Sequence, residues 1–126
     1  MDDVPTPLHM ALNNPNVEIL KCLIENGADV NAKYGGMTLL HMAAGMNSNI
    51  EFLKYLVDQG LDVNTKSNDG STPLHSAAGM NPNAEALKYL IEKCADINAK
   101  NKEGKTPLDY ANSAEKRAIL RAAGAR

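Results

Sequence analysis

A chain of 126 residues fits a single domain, and 44% hydrophobic with 22% charged residues is the mix of a globular protein, which excludes a disordered one. A net charge of −2 excludes the basic footprint of a nucleic-acid binder and the polybasic patch of a membrane-surface protein. The apolar runs are a few residues long, too short to cross a bilayer.

The start, Met1-Asp2-Asp3-Val4-Pro5, has neither the basic beginning nor the apolar core of a secretory signal, so a cytoplasmic location is expected. Cys22 and Cys94 are too few for a disulfide scaffold and have no metal-ligand spacing. The rings are Phe52, Tyr34, Tyr55, Tyr89 and Tyr110, without tryptophan. The core must therefore come from Leu, Ile, Val, Met and Ala, a set suited to helices stacked closely on small residues.

Taken in chain order, the same elements come round repeatedly. Thr6-Pro7-Leu8-His9 opens a first helix: threonine caps it and proline suits its first position. Leu8, Ala11 and Leu12 give that helix one apolar face. An Asn-rich loop, Asn14-Pro15-Asn16, leads into a second helix with Asn16 as cap and Glu18 in its first turn. Leu20, Leu23 and Ile24 face the core, and Gly27 stops the helix in the left-handed conformation. A polar, hairpin-like turn follows.

The opening phrase returns as Thr38-Leu39-Leu40-His41, Thr72-Pro73-Leu74-His75 and Thr106-Pro107-Leu108-Asp109. Successive threonines lie 32, 34 and 34 residues apart. The helix cores return as Leu40/Ala43/Ala44 with Leu53/Leu56/Val57, and as Leu74/Ala77/Ala78 with Leu87/Leu90/Ile91. Asn49 and Asn83 repeat the cap and Gly60 repeats the stop, while Cys94 stands where Gly would be. The phrases Gly27-Ala28-Asp29-Val30-Asn31, Gly60-Leu61-Asp62-Val63-Asn64 and Cys94-Ala95-Asp96-Ile97-Asn98 keep step with them.

A helix–loop–helix–turn unit of about 33 residues with this opening resembles the ankyrin repeat, from Thr6 to Gly124. The resemblance implies an all-α repeat solenoid: a stack of about 3.5 helix–loop–helix units whose turns project as β-hairpin-like fingers. One domain, 1–126, is expected, with repeats at about 6–37, 38–71 and 72–105 and a C-terminal capping unit at 106–126.

Departures from strict repetition have structural meaning. His41 to Glu51 and His75 to Glu85 are ten residues, one more than His9 to Glu18. The first finger, around Tyr34-Gly35-Gly36, is one residue short and should differ in shape. In the last unit Asp109 replaces histidine, the inter-helix loop shortens, and Glu115, Lys116, Arg117 and Arg121 are placed to face solvent.

No catalytic constellation stands out. The histidines recur once per unit, and the resemblance implies that each bonds the threonine of its own motif and turn backbone. None has a carboxylate or Cys at the spacing of a ligand set, so no metal is expected. Asp29, Asp62 and Asp96 repeat with the unit and suit backbone bonding in turns rather than acid–base work. Cys22 shares an apolar register with Tyr55 and Tyr89 and is expected half-buried. Asn31, Asn64 and Asn98 close a phrase of Leu, five residues, Asp, apolar, Asn, which resembles the substrate pattern of the asparaginyl hydroxylase acting on ankyrin repeats. No phosphate loop or nucleophile elbow occurs.

The resemblance thus implies a non-catalytic protein–protein interaction module, without cofactor, binding a partner protein through finger tips and the exposed face of the first helices. Position by position, the partner-binding set is Tyr34 and Met37 on finger one, Asn68, Asp69 and Ser71 on finger two, and Lys102, Glu103 and Lys105 on finger three. Asn13, Asn14, Met46 and Met80 join from the first helices and their loops. A monomer is expected, with no nucleic acid or membrane as partner. The alternative is a structural or engineered repeat scaffold with no native partner.

Overall fold

The computed structural model describes residues 16–30, 33–34, 36–46, 50–80, 84–93 and 95–125. The first helix of unit one, with Thr6, His9, Asn13 and Asn14, lies outside the described residues, as do Asn31, Asn49, Asn83 and Cys94. The elements in order are α1 (Val17–Glu25), β1 (Lys33–Tyr34), β2 (Met37–Thr38), α2 (Leu39–Met46), α3 (Ile50–Asp58), α4 (Pro73–Gly79), α5 (Glu85–Glu92), α6 (Pro107–Tyr110) and α7 (Ala114–Ala122). Among the described residues no helix is long and apolar enough to cross a membrane.

Local chemistry sets the helix ends. Asn16 Oδ1 accepts the Glu18 amide at 3.0 Å, and Glu18 sits in the positive first turn of α1. Gly27 and Gly60 follow α1 and α3 at φ 95° and 90°, which a Cβ would strain. At the start of α5 the residue before Glu85 is Ala84, whose methyl offers no acceptor, and the expected cap, Asn83, lies outside the described residues.

Helices α2, α4 and α6 form one row, and α1, α3 and α5 a second, with α3 and α5 each packed against the first helix of its own unit. Small residues let the first row close up. Ala43, Ala44, Ala77 and Ala78 are fully buried. A Cβ on Gly45 would lie 3.2 Å from Ser76 Cβ, and one on Gly79 would lie 3.1 Å from Tyr110 Cβ. Between the rows Leu40, Leu53, Leu56, Leu74, Leu87, Leu90 and Phe52 are removed from water, at about 1.5–3 kcal/mol for each such side chain.

The fingers are tied to one another. In finger one β1 and β2 pair antiparallel with Tyr34 opposite Met37, leaving Gly35-Gly36 between them. Fingers two and three share a different, longer turn. Ser67 and Asn101 amides donate to the carbonyls of Ser71 and Lys105 at 2.8 and 3.0 Å. The missing residue of finger one therefore changes its shape, as the spacing requires. The Asn68 amide then donates to Gly36 O (3.0 Å) and the Lys102 amide to Asp69 O (2.8 Å), stitching each finger to the next.

Two side chains depart from their expected places. Cys22 is exposed. A thiol is too short to fold over its neighbour, whereas the rings of Tyr55 and Tyr89 lie half-buried beneath Lys21 and Lys93, 5.5 and 5.6 Å from the ring centres. Lys116 does not face solvent: it is 2% exposed, and its ammonium donates to Ala78 O at 3.3 Å. The end of α4 leaves carbonyls without helical partners, and α7 comes close enough for a lysine to reach one with its stem buried. A cation also suits the negative end of α4. Asn112 completes that end, its amide on Ala78 O (3.2 Å) and Nδ2 on Gly79 O (3.3 Å).

Candidate functional site

The residue that joins helix to finger is histidine. The Thr72 amide donates to His75 Nδ1 at 3.0 Å, so the ring proton sits on Nε2, which donates to Lys105 O at 2.8 Å. His41 repeats this on Thr38 (Oγ1 to Nδ1, 2.9 Å) and Ser71 O (2.6 Å). Each ring caps its own helix and holds the next finger against it. Burial, the largest influence, pushes the His75 pKa below its ordinary value, while the Lys105 carbonyl and the charges of Asp69 and Asp109 pull it up less strongly. Both nitrogens are engaged and the ring is buried, so it serves the fold. Among the described residues no His, Cys, Asp or Glu group of three or more is arranged to hold a metal ion.

Asp109 keeps half of the histidine's work. Its Oδ2 accepts the Thr106 amide at 2.8 Å and the Thr106 hydroxyl at 3.2 Å, the first of which holds the carboxyl below its ordinary pKa. The turn aspartates cap as expected: Asp62 and Asp96 accept the amides of Asn64 and Asn98 at 2.9 and 3.1 Å. Asn64 in turn accepts the Asp96 amide at 2.7 Å, linking one unit to the next.

Between fingers and first helices lies a groove of about 440 Å³. Met37, Asn68, Asp69 and Ser71 line it from the fingers. Ser76, Gly79, Met80 and Tyr110 line it from the helices, with His41 and His75 at their junction with the fingers. Asp69 Oδ1 accepts the Ser67 hydroxyl and the Ser71 amide (3.2 Å), and the Ser67 bond foremost holds its pKa below the ordinary value. Tyr110 is fixed by Asn101, whose Nδ2 donates to the phenol oxygen at 2.8 Å, and by the edge of His75, ring centres 5.7 Å apart.

Of the residues singled out in the sequence, Met37, Asn68, Asp69, Ser71 and Met80 therefore come together on one cavity. Lys102, Glu103 and Lys105 are exposed on finger three and do not line it. Tyr34 and Met46 are described only through their backbone, in β1 and α2, and Asn13 and Asn14 lie outside the described residues. Ser76 and Tyr110 are groove residues that pattern reading missed. The signal was present: the position after the motif histidine runs Met42, Ser76, Tyr110 while its flanks hardly change.

A family model described as ankyrin repeats, in three copies, matches residues 2–67 and 44–122. The chain belongs to the ankyrin repeat family. A comparison with curated proteins gave no match. Ankyrin repeats are generally protein–protein interaction modules and typically non-catalytic. The all-α repeat stack with finger-like turns is the architecture of such modules.

Proposed function

We propose that this chain is a non-catalytic module that holds a partner protein in the groove between its fingers and first helices. The observation that carries the reading is the shared lining: finger residues Met37, Asn68 and Asp69 and helix residues Ser76 and Met80 bound one cavity. Its volume falls in the range of about 300–1,000 Å³ usual for binding clefts. Histidine ties and inter-finger amide bonds hold both walls in place, so little freedom is lost on docking. In this reading Lys102, Glu103 and Lys105 form a polar rim, with Tyr34, Met46, Asn13 and Asn14 extending the face. The protein acts as a monomer, one domain over 1–126 with repeats at 6–37, 38–71 and 72–105 and a capping unit at 106–126.

The test is a pull-down from a lysate of the source organism. A Met37→Ser/Met80→Ser variant should lose the protein that the unaltered chain retains. A Lys21→Ala/Lys54→Ala/Lys88→Ala variant, altered on the second helices, should keep it. The reverse result would move the site to the opposite face, and no retained protein would favour a scaffold without a partner.

A further inference from the structure

We infer that the groove takes a peptide segment of its partner in which a Lys or Arg stands beside an apolar side chain; this rests on the groove being the binding site. Charge gives the first half. Asp69 stands exposed on the finger side of the groove, and its bonds to Ser67 and Ser71 keep it ionised at neutral pH. Among the described residues the ion pair is Lys21–Glu18, on α1, so no lysine or arginine answers Asp69. Among the described residues no cation lines the groove. Asp109, beside Tyr110, adds a second negative charge, and both carboxylates are felt at His75 on the groove wall. Such a field attracts a cation and repels an anion.

The second half is apolar. Met80 is 54% exposed and shares the groove with Met37 and the ring of Tyr110. Methionine's flexible, polarizable side chain adapts to varied apolar shapes. A third feature points to a ligand independently. Ser76 is only 6% exposed, lies on the groove wall, and its hydroxyl makes no hydrogen bond among the described residues. Buried hydroxyls are nearly always paired, and a peptide backbone group reaching the wall would pair this one.

A phage-displayed library of random peptides, panned against the full chain, tests this. The selected peptides are then measured by fluorescence anisotropy. They should carry Lys or Arg beside Leu, Met or Phe. Asp69→Asn should weaken them about tenfold or more. Added salt should weaken binding to the unaltered chain more than to Asp69→Asn. Asp69→Asn keeps an acceptor for Ser67 and Ser71, and an unchanged melting curve checks that finger two is intact. Neutral or acidic peptides that lose affinity with Met80→Ser but ignore Asp69→Asn would overturn this inference and leave the groove standing. Peptides indifferent to both variants, or a library yielding no binder, would overturn both.

Discussion

His75 and Lys105 lie 30 residues apart, yet His75 Nε2 donates to the Lys105 carbonyl at 2.8 Å. Nδ1 of the same ring accepts the Thr72 amide. One side chain therefore closes a helix cap and fastens the following finger, and it can do both only as the neutral Nε2–H tautomer.

His75→Ala should destabilise the fold by about 1–3 kcal/mol for each buried hydrogen bond lost. Urea denaturation followed by circular dichroism measures it. His75→Asn, which can cap Thr72 but is too short to reach Lys105 O, should fall between the two. A loss of less than about 0.5 kcal/mol for His75→Ala would show that the finger is held by other contacts.

Stability should fall in acid, in two windows. The folded-state pKa of His75 lies below 6.5, so the unfolded chain binds more protons in that interval and stability rises with pH through it. Protonation would also set an Nδ1–H against the Thr72 amide. Asp69 and Asp109 are held below 3.8, so the stability they contribute is present above that value and lost as pH falls through their depressed values. Thermal melts from neutral to strongly acidic pH should show both declines, and His75→Gln should flatten the upper one.

Lys116→Ala should cost about 2 kcal/mol or more, because the buried stem packs against the core. Lys116→Met keeps the stem, and Asn112 still donates to Ala78 O, so its cost should stay within about 1 kcal/mol. Burial lowers the Lys116 pKa from 10.5, so the unaltered chain should gain stability as pH rises from the folded pKa toward 10.5. The Met variant should lack that gain, which alkaline thermal melts would reveal.

Cys22 should react with a thiol reagent in the native state, without denaturant, because it is exposed on α1. No bridge to Cys94 should form. Cys94 follows α5, and α3 stands between α1 and α5, with helix axes about 8–10 Å apart at each step against a Cα limit of about 7 Å for a disulfide. Intact-mass analysis under non-reducing conditions, with and without alkylation, checks both points.

Much of the fold was legible because the signals are local and repeated. Asn16 at a helix start, Gly27 and Gly60 at helix ends and Ala43-Ala44 between helices each act within a few residues of themselves. The histidine ties were legible only through family resemblance, since nothing near His75 in sequence names Lys105. Cys22 misled because sharing a register with Tyr55 says nothing of reach. Lys116 misled because charge on a terminal helix ordinarily means solvent.

Sequence alone determined the unit, its period, its caps and stops, and the shorter first finger, because each follows from backbone preferences of neighbouring residues. Through the family resemblance it also marked Met37, Asn68, Asp69, Ser71 and Met80 as candidates for a binding face. Only the tertiary structure decided that these five share one cavity, that Ser76 and Tyr110 join them, and that Lys116 caps a helix 38 residues away. Those outcomes depend on how far apart stacked units sit and on which carbonyls a helix end leaves open. Both are set by packing between units, which no single unit encodes.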